Sequence, residues 1–387
     1  MTRREQAPPD DPRLQHPVAR REDPGPLLAD HHDEEMPRLQ MTRRTLLLGG
    51  AFVTTIVAFL YFVLPQIEGL GDTWNRIEHG DPAWLIAAMV FTALSFGGYV
   101  VMFQRVYVTG ERAQQVGLRE SYQITMAGLA ATRLFAAGGA GGIALTAWAL
   151  RRAGMPARVV ADRSVAFLVL TYAVYLLAMV VAGLGLQWGL FAGPAPWALT
   201  VVPTVFAIIL LGIGLLAGLT PTDLNRRLED FARRGGRLAR FWQRAATLPA
   251  TMSAGVRIAL GYVRHLDLAA LGALAYWGFN IAVLWAAFRA FGHSPPGAVL
   301  VMGYFVGMLG NLLPLPGGVG GVDGGMIGAF IGFGVDEGLA VVAVLTYRGF
   351  AFWLPTVPGA IAYFQLRRTV ARWRQRGRGE QLAPAQA

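Results

Sequence analysis

The sequence contains no cysteine and no lysine. Without cysteine there are no disulfides, no iron–sulfur clusters and no thiolate metal sites, and nothing marks a redox compartment. Charge is scarce too: 15% of the 387 residues are charged, against about 25% in ordinary soluble domains. The six histidines (16, 31, 32, 79, 265 and 293) all fall in the N-terminal tail, in loops or at the ends of apolar runs. No H-E-x-x-H, G-x-S-x-G or P-loop pattern occurs, and nothing resembles a nucleophile with a base at membrane depth. Intramembrane hydrolysis of a lipid phosphate is therefore disfavoured, no cofactor is expected, and the protein is not expected to be an enzyme. With no nucleotide site, uphill movement of a substrate would need an ion gradient or a partner.

What is present is apolar sequence. The chain is 54% hydrophobic with a mean hydropathy of +0.42. Several runs exceed the roughly 18 residues that span a bilayer core. The fold expected is an all-α polytopic membrane protein with full spans near 45–64, 83–105, 159–186, 197–218, 267–291 and 338–364. The first of these follows about 40 polar residues, so it reads as a retained anchor rather than a signal peptide. Residues 1–40, including His31–Glu35, read as a disordered tail in preference to a metal tract. The transmembrane domain then covers 41–366, and residues 367–387 form a basic tail.

Two further apolar segments are broken. One covers 121–153 and contains Gly138, Gly139, Gly141 and Gly142; the other covers 297–334 and contains Pro316, Gly317, Gly318 and Gly320. Both share the spacing G-G-x-G-G-[IV], at Gly138–Ile143 and Gly317–Val322. Arginine sets the orientation by the positive-inside rule. Loops 105–120, 151–163 and 219–266 and the segment after 366 are arginine-rich and are expected inside. Loop 65–82, with one arginine against four acids, and the loops near 187–196 and 292–297 are expected outside. This pattern holds if each broken segment is a hairpin, re-entrant or of short tilted spans, with both ends on one side. The first opens to the cytoplasm and the second to the outside, with both termini in the cytoplasm of a cell (inner) membrane. Two related units in opposite orientation are the mark of inverted-repeat transporters, whose broken helices meet near the midplane. Irregular backbone at that depth must be buried in protein or line a wet cavity.

The glycine clusters can form turns whose N–H groups face an anion such as a lipid phosphate; small-residue packing is the alternative. Asp323 starts a helix, where it serves either as a cap or as a site for a proton or cationic head group. Arg133 and Arg348 lie within apolar runs, where a charge costs on the order of 3 kcal/mol and so needs a partner or water. Asp323 is a plausible partner for Arg348. Arg163 and Asp162 lie close to the cytoplasmic end of their span, where snorkelling, a local pair and a functional role are all open. Asn280 and Asn311 are expected to bridge helices. Loop 219–266, with arginines interleaved by Leu224, Leu228, Phe231, Leu238, Phe241 and Trp242, reads as a basic amphipathic segment on the cytoplasmic leaflet. Its partner is expected to be anionic membrane lipid, not nucleic acid.

The stretch Asn311–Gly325 followed by Leu345–Gly359 resembles the flippase-like membrane family typified by the transmembrane half of lysylphosphatidylglycerol synthase. Pro316, Gly317, Gly318, Gly320 and Asp323 match its Pro-Gly-Gly-x-Gly-x-x-acid motif, with Asp for the usual Glu. Tyr347, Arg348, Leu354, Pro355 and Gly359 match the Tyr-Arg segment and its downstream Leu-Pro and Gly. The first copy departs from the pattern: Ala137–Gly142 lacks the Arg and Glu of Pro-Gly-Arg-x-Gly-Glu, and Arg133 is the nearby charge. The resemblance implies movement of a phospholipid or polyprenyl-linked lipid between leaflets. The alternative is a non-catalytic membrane partner of a lipid or cell-envelope enzyme. The 20 residues after Arg367 leave no room for an aminoacyl-transferring domain, so synthase activity is not expected.

Overall fold

A backbone in hydrocarbon must satisfy its own hydrogen bonds, and helices do so within each segment. In the computed structural model every regular element among the described residues, 80–108, 116–134, 140–219, 239–312 and 318–382, is helical. The expectations for residues 1–40 and for the span at 45–64 fall outside them. The elements are α1 Pro82–Tyr107, α2 Leu118–Leu134, α3 Ala140–Arg152, α4 Ala157–Gln187, α5 Trp197–Leu219, α6 Ala239–Arg264, α7 Leu268–Phe291, α8 Gly297–Met308, α9 Gly321–Gly332, α10 Glu337–Arg348 and α11 Leu354–Leu382. A π-helical turn, Gly349–Trp353, joins α10 to α11.

Five stretches are long and apolar enough to cross a membrane: α1, α4, Trp197–Gly218, α7, and the composite Glu337–Trp373. They match the five expected spans that fall among the described residues. The last differs in form, being broken by the π-helical turn and continuing through the arginines to Leu382.

The broken segments are pairs of short helices. In the first pair, α2 and α3 touch at Gly142: a Cβ there would lie 2.5 Å from the Gly128 carbonyl oxygen. In the second, α8 and its 3-10 extension, Leu309–Leu312, meet α9 at Gly310 and Gly321. The pairs are exchanged in their packing. The Met126 carbonyl and Ala130 of α2 press on Gly359 of α11, and Phe305 of α8 accepts a hydrogen bond from Tyr175 of α4 at 2.9 Å. Between them, α1 lies along α7, with Phe91 stacked on Phe279 at 6.0 Å and Tyr99 on Tyr276 at 4.7 Å.

The helix ends sort into two groups. At one, Arg105 pairs with Asp267 at 3.7 Å, Arg163 donates to the Val106 carbonyl, Tyr262 donates to the Arg105 carbonyl, and Gln123 meets Thr369. At the other, Asp81 N–H donates to the Ala290 carbonyl, Trp84 meets Trp285 edge-on, and Gly332 sits against Leu199. Loops expected to share a side therefore do meet. Helix α6, the described part of loop 219–266, is docked rather than isolated: Gly255 packs on Val165 of α4, and Val256 on Gly218 of α5.

Candidate functional site

Arg348 ends α10, 11 residues after Glu337. At 1.5 Å per residue that is roughly 17 Å, about half of a 30 Å hydrocarbon core. Its Nε lies 2.5 Å from Asp323 Oδ1, and both side chains are largely buried, at 10% and 17% exposure. That contact is an ion pair without an aligned hydrogen bond. The other carboxylate oxygen, Oδ2, accepts the Gly320 N–H at 2.8 Å. Asp323 therefore caps the first turn of α9 and, as expected, partners Arg348.

Arg133 reaches the same place from α2. Its guanidinium donates to the Phe352 carbonyl, to the Ala351 carbonyl at 2.9 Å and to Thr356 Oγ at 3.2 Å. Chemistry explains why the Ala351 carbonyl is available. Pro355 has no N–H, so in α register the Ala351 carbonyl loses its donor. The helix widens instead, with Leu354 N–H bonding to the Gly349 carbonyl, five residues back. Guanidinium N–H groups fill the gap. The Phe352 ring then serves both arginines, with Arg133 4.7 Å and Arg348 4.3 Å from its centroid. Phe96 of α1 adds a second ring, 5.8 Å from Arg133. These are cation–π distances, and such contacts strengthen where water is excluded.

Of the residues predicted for the site, Arg133, Asp323 and Arg348 are thus brought together by three elements. Gly141 and Gly142 lie in the first turn of α3, and the contact made by Gly142 is close packing. Gly318 and Gly320 form the turn before α9 with φ of 67° and 83°, values only glycine adopts easily, and the Gly320 N–H is taken by Asp323. Gly138, Gly139, Pro316 and Gly317 lie outside the described residues. Arg163 is not part of the cluster; it binds the last turn of α1. Asn280 bridges helices as expected, linking Ser95 of α1, at 2.5 Å, to Tyr347 of α10, at 3.3 Å, which in turn meets Tyr304 of α8, at 3.0 Å. Asn311 does not; it is exposed, contacting Met308 on its own turn and lying beside Gly318. Phe352, Thr356 and the freed Ala351 carbonyl were not anticipated.

A cavity of about 490 Å³ lies elsewhere, between α4 and the start of α8, lined by residues such as Val181, Phe191 and Val301 and by none that is charged.

A family model described as "Lysylphosphatidylglycerol synthase TM region" matches residues 46–359, which span both hairpins and the Arg133–Asp323–Arg348 cluster. The chain belongs to this family. Among curated proteins, a UPF0104 membrane protein of Methanothermobacter thermautotrophicus is 25% identical over 344 residues, covering 84% of this chain and 94% of the relative. Another match of that description and organism is 24% identical over 336 residues, 81% of this chain and 95% of the relative. A shorter one is 32% identical over 117 residues, 28% and 35%. No solved structure matches significantly. Membership of the lysylphosphatidylglycerol synthase TM region family, with five candidate spans among the described residues, makes this a multi-pass membrane protein.

Proposed function

We propose that the protein translocates a phospholipid or polyprenyl-linked lipid between leaflets, without covalent chemistry, the head group passing the junction of the two hairpins. The observation that carries this reading is the convergence of Arg133, Asp323 and Arg348, from three separate elements, on the Phe352 turn at mid-depth. Charged residues at that depth are rare, and where they occur they mark substrate or ion pathways.

The same reading takes the helices as an inverted repeat. One copy is α1 to α4, the other α7 to α11. Each contains a glycine-broken hairpin, the hairpins open at opposite helix-end groups, and each lays its first helix on the other copy's long span. Exchange of that kind is what a pseudo-two-fold axis in the membrane plane generates.

The test is transfer of head-group-labelled lipids in proteoliposomes. Transfer above protein-free vesicles, lowered at least ten-fold by Arg348→Gln in a folded variant, is the expected result. Folded protein that moves none of the lipids tested would favour instead a non-catalytic partner of a membrane enzyme.

A further inference from the structure

We propose that Arg133 is the residue that selects the head group, and that it selects a phosphate oxyanion carried by an anionic lipid rather than a zwitterionic one. This rests on reading the cluster as the head-group site.

The cluster holds two arginines and one carboxylate, a formal balance of +1, and the carboxylate belongs to Arg348 at 2.5 Å. Among the described residues no carboxylate lies within ion-pair distance of Arg133; its three hydrogen-bond acceptors, the Ala351 and Phe352 carbonyls and Thr356 Oγ, are all neutral. An arginine has five N–H donors, so three acceptors leave two donors for a ligand among these residues. Two N–H groups and two phosphate oxygens make the bidentate pairing that guanidinium favours.

The existing partners also yield cheaply. The Phe352 carbonyl receives Thr356 Oγ at 2.7 Å, so it keeps a donor if the guanidinium turns toward a ligand. Asp323, by contrast, has both oxygens engaged, by Arg348 and by the Gly320 N–H. An ammonium-bearing head group would bring a cation for which the cluster holds no spare carboxylate. A lipid, rather than free phosphate, is favoured by the apolar surface beside the cluster: Trp353 of the π-helical turn and Leu354 and Val357 of α11 are 42%, 45% and 63% exposed, a surface suited to acyl chains.

The experiment measures lipid binding to the purified full chain in neutral detergent by native mass spectrometry, so it needs no transport. Phosphatidylglycerol and phosphatidylcholine of matched acyl chains are titrated in parallel, with inorganic phosphate as competitor. We expect wild type to prefer phosphatidylglycerol at least ten-fold. Arg133→Gln should lose about ten-fold in phosphatidylglycerol affinity with phosphatidylcholine unchanged, and Arg133→Lys, which keeps the charge but not the fork, should fall between. Thr356→Val, which removes one neutral competitor, should keep the preference or sharpen it. An undiminished preference in folded Arg133→Gln overturns the proposal. If that variant does not fold, Arg133→Lys indistinguishable from wild type overturns it. Displacement of phosphatidylglycerol by millimolar phosphate overturns the lipid as the source of the anion. Arg133-dependent preference without transport sinks the translocation reading alone; transport with an Arg133-independent preference sinks this one alone.

Discussion

One oxygen of Asp323 caps α9 and the other faces Arg348, so the two functions can be separated by substitution. Asp323→Asn leaves Arg348 charged, largely buried and without its carboxylate. Removing one member of a buried pair costs about 3–5 kcal/mol, because the remaining charge is stranded. The double change Asp323→Asn with Arg348→Met strands nothing and should recover much of the loss. Thermal unfolding in detergent checks this, and simple additivity of the two single changes would mean the pair is not coupled. All three charges were legible in the sequence because a charge inside an apolar run stands out. Phe352 was not, since one more phenylalanine among 21 has no contrast. Pro355 held the unused signal: a proline within a span orphans a carbonyl one turn back, and an orphan carbonyl at mid-depth calls for a donor. That donor, Arg133, lies 218 positions before the Ala351 carbonyl it fills. Only the fold makes them neighbours.

At the scale of elements, the hairpins depend on how closely their helices approach. Gly142 meets Gly128 and the Thr132 hydroxyl so tightly that a methyl group has no room. Gly142→Ala should therefore splay α2 from α3 and cost about 1–3 kcal/mol, the range for overpacking. Gly324, in α9, is the control: nothing lies within 4 Å of a Cβ built there, and its backbone is helical. Gly324→Ala should be neutral or stabilising by roughly 0.5–1 kcal/mol, because alanine suits a helix interior better. The two melting temperatures, compared with wild type, decide it, and equal shifts would argue against close packing as the role of Gly142. Four of the five described spans were legible to within a few residues because hydrophobic length is a strong signal, and the last runs on past its expected end at 364. The broken segments were legible as breaks, but glycine content alone could not separate an anion-binding turn from a packing contact. Gly142 packs, and the N–H of Gly320 is taken by Asp323. The π-helical turn left no mark on hydropathy, since Gly349–Trp353 is as apolar as the helix around it.

For the whole molecule, the proposed function requires that the two hairpins open at opposite ends, which a transporter needs and a simple anchor does not. Arginine counts assigned those ends before any coordinates, and the contacts group the same loops: Arg105, Asp267, Arg163 and Tyr262 at one end, Asp81, Ala290, Trp84 and Trp285 at the other. Which end faces the cytoplasm rests on the positive-inside rule. The chain suits a direct measurement because it has no native cysteine, so any label reports an introduced one. His265 and His293 are both exposed and flank α7 at its two ends. In intact cells a membrane-impermeant maleimide should label His293→Cys and leave His265→Cys unlabelled until the membrane is opened. The reverse pattern would invert the orientation, putting the first hairpin's mouth outside and the second's inside. Labelling of both in sealed cells would place the ends of α7 on one side, removing α7 as a span and the inverted repeat with it. Without that repeat, the meeting of Arg133 and Arg348 at Phe352 would be a packing solution for two buried charges, not a station on a lipid's path.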